Sequence, residues 1–494
     1  VTQAQGGLDL NVALDAVFRR NVHARPEAVA LVDPPDRADF TDGVPRKLSY
    51  AAADAAVGRL ARQLRGLGLA PASVVAVQLP NIVESAIALL AVERAGLVAA
   101  PLPLLWRKAD LVRALGPIKA AAIITVTRAA DERPAATACA AAPELFSLSF
   151  PCAFGRELPD GVVALNIDSD PMDGVDQPTE APTSEAPSLV TFDAASTGPF
   201  PVGRGHAGWV AAGLSTLIAA RIEPRAEIVS TLPLTSLGGI GTALVPWLLT
   251  GGVLHLVHGY APGVLARAGF GQAHLAAPAR ALGPLLHDCG REFVSLVAVH
   301  RGIAAPFDLR AQADAVVDVH VFGEIGAVVR RREQPRQREP IPIGRVASVS
   351  GAAPPVGIET RLEADGVLAL RGAMVPRTPF DPGGDALQIR ADGFVRTGYR
   401  CRAENAFSLV VEAEPAGVAS VGGLRFGLDA LAASIREVAP DAAIAYIADP
   451  VLGGRLVVEA DAVAATRRRL EAAGLSQVVL DAVVPRAEAR RMAG

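Results

Sequence analysis

The sequence predicts an α/β protein: a large N-terminal region of parallel-rich sheets covered by helices, followed by a small α/β unit at the C-terminal end. Three observations carry this. Helix-like and strand-like segments alternate from residue 50 to 126, the pattern of parallel strands joined by crossover helices. From 341 to 400 the texture changes to short strands and Gly/Pro turns, and residues 427–483 then alternate helix and strand again. With 494 residues the chain exceeds the roughly 250–300 at which one core stops growing, so several domains are expected.

The elements follow in order. Residues 11–20 and 50–68 read as amphipathic helices; in the second, Ala53, Val57, Leu60, Leu64 and Leu67 recur at helical spacing among Arg59, Arg62 and Arg65. A β-rich run at 73–79 leads through Pro80-Asn81 to a helix at 85–95, which Gly96 ends. Strands follow at 97–102 and 120–126. Residues 156–188 hold Glu157, Asp160, Asp168, Asp170, Asp173, Asp176, Glu180 and Glu185 with five prolines, a long acidic loop. No charged residue lies between Glu227 and Arg267. A membrane span needs about 20 continuous apolar residues. Pro233, Gly238, Gly239, Gly241, Pro246, Gly251 and Gly252 interrupt this stretch, so a buried helix at 240–250 and a buried strand at 253–257 are expected instead of a span. A strand is expected at 367–371. The terminal unit reads as helix 427–438, strands 442–447 and 455–459, helix 462–473 and strand 478–483.

Composition bounds the function. Hydrophobic residues at 51% and charged residues at 20% indicate a folded chain rather than a disordered one. A net charge of −4 leaves no basic field for nucleic acid. Cys139, Cys152, Cys289 and Cys401 are scattered without metal-ligand spacing, which fits a reducing cytoplasm. The N-terminal stretch, with Asp9 and Asp15 and no basic region before an apolar run, does not read as a signal peptide. Lysine occurs only at Lys47, Lys108 and Lys119, among 47 basic residues.

An ordered set of short motifs then narrows the reading. Leu48-Ser49-Tyr50, Val75-Ala76-Val77-Gln78-Leu79-Pro80-Asn81, Glu93-Arg94-Ala95-Gly96 and Pro101-Leu102 come first. Gly344-Arg345-Val346, the run from Gly366 to Gly372, Asp392-Gly393-Phe394, Arg396-Thr397-Gly398, Gly422-Gly423 and Asp449-Pro450-Val451-Leu452-Gly453 follow. Together they resemble the superfamily of acyl-CoA synthetases, adenylating domains and luciferases over nearly the whole chain. The resemblance implies an acyl-CoA-synthetase-like fold, with an AMP-binding-like N-terminal domain at 1–412 and a C-terminal lid domain at 413–494. It also implies a reaction in which a carboxylate and ATP give an acyl-adenylate and pyrophosphate, and the acyl group then passes to a thiol. ATP, magnesium and CoA are the implied cofactors.

The functional motifs of that family are eroded here. The phosphate loop stands as Asp193-Ala194-Ala195-Ser196-Thr197-Gly198-Pro199-Phe200-Pro201. Ser196, Thr197 and Gly198 survive as nucleotide-binding candidates. Ala195 replaces a glycine, so a left-handed backbone there would be penalised. Pro201 stands for a lysine, and Asp193 sets a carboxylate beside the expected phosphates. The aromatic-Gly-x-Thr-Glu motif reads Phe322-Gly323-Glu324-Ile325-Gly326, leaving Phe322 and Gly323 as binding candidates and Glu324 as a weak substitute for the magnesium carboxylate. The ribose-gripping aspartate is Tyr399, one hydroxyl in place of two carboxylate oxygens. The interdomain Gly-Arg is Ala413-Glu414, the usual histidine after Pro-Leu-Phe is Ser236, and the C-terminal catalytic lysine falls near Arg490 or Arg491. These joint losses predict a degenerate member, a pseudoenzyme binding an acyl- or CoA-type ligand or a partner protein. The alternative is a divergent but active ATP-dependent carboxylate–CoA ligase in which Arg490 or Arg491 supplies the positive charge at the adenylate and Glu324 the metal ligand. Arg330, Arg331, Arg332, Arg336 and Arg338 form a further cationic cluster, read as a solvated loop before a phosphate dock.

Overall fold

The computed structural model describes residues 10–168, 187–259, 263–287, 289–303, 313–334, 336–346, 357–381 and 386–493, with a short β-pair, Gln3–Ala4 and Gly7–Leu8. Two parallel-rich sheets hold the core. The seven-stranded sheet runs Gly198–Arg204, Leu189–Ala195, Val98–Pro101, Val74–Val77, Ala122–Val126, Phe150–Phe154, Val163–Ala164. It is parallel except for the hairpin at its first edge. The eight-stranded sheet runs Gly326–Arg331, Ala313–Phe322, Phe293–Arg301, Ala273–Pro278, Glu227–Ser230, Val253–Leu256, Val29–Val32, Lys47–Ser49, and only its two edges are antiparallel. A six-stranded antiparallel sheet from 341–413 follows.

The helices are set by what they bury. Tyr50–Gly66 is capped by Ser49, whose hydroxyl accepts from Ala52 N at 3.2 Å, and it buries Ala53, Val57, Leu60 and Leu64. Val83–Arg94 is buried on nearly every face, as an apolar helix packed from several sides must be. Its first amide, Val83 N, donates to Asp33 Oδ1 at 2.8 Å, a cap supplied from fifty residues upstream.

Several expected elements move. The first helix is Leu14–Ala24. The buried helix begins at Leu237, passes through a π-helical stretch at Ile240–Leu244 and ends at Thr250. Among the described residues no helix is long and apolar enough to cross a membrane. The expected strand at 478–483 is a helix, Gln477–Asp481, and the strand is Val483–Pro485, parallel to Gly453–Ala460. Val479 and Leu480 are adjacent and both buried in the one terminal core, whereas a strand would send them to opposite faces. In the acidic stretch Val163–Ala164 forms a short strand; residues 169–186 of it lie outside the described residues.

The terminal unit has its own core, built around Ala419, Phe426, Ile435, Leu456, Val458 and Leu470. It folds as the hairpin Val418–Val421/Leu424–Gly427, helix Leu428–Val438, strands Ala443–Asp449 and Gly453–Ala460, and helix Val463–Ala472.

Candidate functional site

The edge hairpin of the seven-stranded sheet carries the first motif. Its register runs from Leu189↔Arg204 to Ala195↔Gly198, leaving Ser196 and Thr197 as a two-residue turn. The left-handed backbone falls on Gly198, at φ +126°, and not on Ala195. The expected conformational penalty at Ala195 therefore does not arise, because the glycine after the turn absorbs it. Pro201 pairs with Phe192 on the outermost strand, where a missing backbone donor costs no interior ladder bond.

Asp193 is the centre of the site. It is buried, and its Oδ1 accepts from Ala194 N at 2.7 Å while its Oδ2 accepts from Glu324 N at 2.8 Å. The Arg425 guanidinium, delivered by strand Leu424–Gly427 of the terminal unit, donates to Asp193 Oδ1; the two side chains are 8% and 4% exposed. Gly323, at φ +58°, lies directly under this pair, and a Cβ there would collide with the Asp193 carboxylate. Burial pulls the Arg425 pKa down to about 10, still charged at neutral pH.

Glu324 is tied down on every side. Its Oε2 accepts from Leu237 N at 2.7 Å, at the helix start capped by Ser236. Arg301 lies 3.5 Å from its Oε1, and its main-chain carbonyl accepts from Arg204. Burial raises its pKa, against the nearby Arg301 and Arg204 charges. Arg204 itself is buried, donates to Met374 O at 2.8 Å and stacks 5.2 Å from the Trp209 ring centre.

Tyr399 is 1% exposed and packs edge-on against Phe322, with ring centres 5.4 Å apart. Arg425 lies 5.5 Å above its ring. Burial holds its phenol far above the ordinary tyrosine range, with Glu414 adding to the shift. Phe200 is half-buried on the hairpin and packs on the core edge. Gly326, where the resemblance implies a metal carboxylate, faces methyl groups: a Cβ there would stand 3.1 Å from Leu370 Cδ1 and 3.4 Å from Val375 Cγ2. A carboxylate at 326 would meet hydrocarbon. Among the described residues no group of three or more His, Cys, Asp or Glu could hold a metal ion. The side chains present do not fit magnesium or a polyphosphate: both carboxylates already face guanidinium groups, and an aromatic ring stands in the ribose-aspartate position.

The terminal unit is seated on this hairpin. Ala430 N donates to Ser196 O at 3.0 Å, and a Cβ at Gly427 would collide with Ala195 O. Arg301 Nη1 donates to Gly423 O at 2.9 Å, and Arg280 Nη1 to Pro450 O at 2.9 Å. Ala109 N reaches Gly474 O at 3.0 Å, and Arg113 donates to Ser434.

The structure brings Gly323, Glu324 and Tyr399 together at the Asp193–Arg425 pair, with Phe322 against Tyr399; Ser196 and Gly198 instead stand at the turn against the terminal unit, with Thr197 exposed. It does not bring Arg490 or Arg491 there: both are exposed on the last helix, Arg486–Ala493, which packs on Gly453–Ala460 and Val483–Pro485. His206 opens helix His206–Ala220, buried 3.9 Å from Glu93, and burial lowers its pKa to about 4. The arginine cluster disperses: Arg332 pairs with buried Asp318 at 2.7 Å, Arg330 with Glu339 at 3.5 Å, and Arg331 donates to Ala219 O at 3.3 Å. The Cys401 thiol is pushed up to about 12 by burial, which makes it inert. The sequence reading missed Arg204, Arg301 and Arg425. Only Arg425 left a trace, two residues beyond the Gly422-Gly423 motif.

Comparison with known proteins bears on the family and the fold. The profile of one family, described as AMP-binding enzyme, matches residues 18–268, just over half of the 494 residues. The chondramide synthase of Chondromyces crocatus is 42% identical over 86 residues; the match covers 17% of this chain and only 2% of that protein. Among solved structures, the o-succinylbenzoate CoA synthetase MenE of Bacillus subtilis superposes with a TM-score of 0.69 at 16% identity, over 94% of this chain and 92% of that one. The amide bond synthetase McbA of Marinactinospora thermotolerans gives 0.69 at 17% identity, over 95% of each chain. MbtA of Mycobacterium smegmatis gives 0.65 at 20% identity, over 96% of this chain and 91% of that one. At such identities these likenesses speak to the fold.

Proposed function

Because the chain belongs to the AMP-binding enzyme family, we propose that it is a member that has kept the fold and given up adenylation, and that it acts by binding an acyl- or CoA-type ligand or a partner protein. One observation carries the proposal: the Arg425 side chain occupies the floor of the phosphate-loop hairpin, neutralising Asp193 from within the chain. An adenylating site needs preorganised donors aimed at charge that develops on the substrate, each worth about 3–4 kcal/mol. Here the donors are spent on Asp193 and Glu324. The ring of Tyr399 and the apolar walls at Gly326 support the same reading. The division at 412/413 belongs to the proposal and is supported by the separate core of the terminal unit. So does a cytoplasmic setting, supported by four free cysteines.

The test is ATP–pyrophosphate exchange across a panel of carboxylates with magnesium, beside thermal-shift titration with ATP, AMP, CoA and acyl-CoAs. No exchange and no nucleotide-induced shift are expected. Robust magnesium-dependent exchange overturns the proposal in favour of an active ligase.

A further inference from the structure

A cavity lies on the other half of the seven-stranded sheet from the hairpin. Its volume is about 430 Å³, within the roughly 300–1,000 Å³ usual for small-molecule pockets. Its place in the topology is specific. In chain order the first strand, Val74–Val77, is flanked by the second, Val98–Pro101, and the third, Ala122–Val126; Phe150–Phe154 and Val163–Ala164 follow outward, all parallel. The direction of winding therefore reverses beside the first strand. Open α/β sheets hold ligands outside the carboxyl ends of their strands at such a reversal. The cavity is lined by the residues that leave those ends, Ile82 and Glu84, Val126 to Arg128, Phe154 to Arg156 and Leu165 to Asp168, and is closed by 37–46 from the other sheet.

The wall chemistry narrows the ligand. The floor is hydrocarbon: Ile82, Val126, Phe154, Leu165 and Ile167. The helix start at Val83 is already taken by the Asp33 carboxylate, so an anion has no place there. Three of the four lining arginines are committed. Arg37 pairs with Asp33 and with Glu84 at 2.6 Å, Arg46 with Asp168, and Arg128 with Asp42 at 2.9 Å. The guanidinium of exposed Arg156 has no ion pair or hydrogen bond among the described residues. In the same wall, Arg37 Nε, Arg46 Nε and Glu84 Oε2 are buried without a hydrogen-bond partner. Arg46 Nε stands 3.8 Å from Glu84 Oε1, so these polar atoms, normally satisfied when buried, line one side of the cavity opposite its hydrocarbon floor.

We infer that this cavity is a small-molecule site, separate from the hairpin site, for a compact ligand with an apolar body and one anionic group, a carboxylate or a phosphate, held by Arg156. The inference does not rest on the loss of adenylation. Calorimetric titration of the full chain with benzoate, phenyl phosphate and benzyl alcohol tests it. Saturable binding of either anion is expected, unaffected by ATP, with benzyl alcohol weaker by about tenfold, the worth of one charge-assisted hydrogen bond. Arg156→Gln, an exposed change that leaves the fold intact, should weaken the anion by about the same factor, and Ile167→Trp should abolish binding by filling the floor. Absence of saturable binding by either anion up to about 10 mM, equal affinity for the alcohol, or an unchanged affinity in Arg156→Gln overturns the inference. Exchange activity at the other site bears on neither outcome.

Discussion

Arg425 and Asp193 pair across 232 positions of sequence, and neither is tolerable alone in that environment. Removing one partner of a buried pair typically costs about 3–5 kcal/mol, because it strands the other charge. Arg425→Met is therefore expected to lower stability by that amount, while Asp193→Ala together with Arg425→Met costs far less than the two single changes summed. Urea denaturation of the four-member cycle measures the coupling. A second residue-scale expectation concerns acid. His274 is buried, bonded to Ser295 at 2.7 Å, and burial lowers its pKa from 6.5 to about 4. Its folded pKa lies below the unfolded one, so its contribution is complete above 6.5 and is lost as pH falls toward 4. Wild type and His274→Gln should converge over that window, by up to about 3 kcal/mol; urea midpoints followed against pH check it. At this scale the sequence was legible as departure. Asp193, Gly326 and Tyr399 stand out where family motifs expect other residues. What fills the emptied positions was not legible, since no periodicity links residue 193 to residue 425.

At the scale of elements, local pattern and tertiary context divide the credit. The crossover strands at 74–77, 98–101 and 122–126 were readable because continuous apolar runs between helices leave few alternatives. The helix at Gln477–Asp481 was not: its valines favour a strand, and packing of two neighbouring side chains into the same core overrode that preference. The hairpin shows a subtler case. Its residues were identified, but the turn position was not, and the turn decides that Gly198 and not Ala195 takes the left-handed backbone. The strand Gly326–Arg331 offers a direct test of whether position 326 can carry a metal carboxylate. Gly326→Glu would drive a carboxylate against Leu370 and Val375. A loss of several kcal/mol is expected, as for any unpaired buried charge, with no recovery on adding magnesium. Thermal melts with and without the ion decide it.

For the whole molecule, the alternation of helix and strand announced parallel-rich sheets covered by helices and a terminal α/β unit, and the fold follows it; that the strands divide between two large sheets was not legible. The seating of that unit was not legible, because it depends on main-chain groups: Ala430 N on Ser196 O, Arg301 on Gly423 O, Arg280 on Pro450 O and Ala109 N on Gly474 O. Backbone atoms carry no residue code. If the hairpin no longer receives nucleotide, nothing remains to lift the unit away. Hydrogen exchange at the Ala430 and Ala109 amides is therefore expected to be slow, and equally slow with ATP and magnesium present; faster exchange on adding nucleotide would show that nucleotide loosens the contact.

Gly427 makes that resting contact adjustable by one carbon atom. The two bodies touch across a residue that has nothing to offer but its absence of bulk, so a methyl group there works as a shim. Gly427→Ala should leave each body intact while forcing a gap at the Ala195 carbonyl, yielding a chain held ajar whose interior could be compared, surface for surface, with its shut parent.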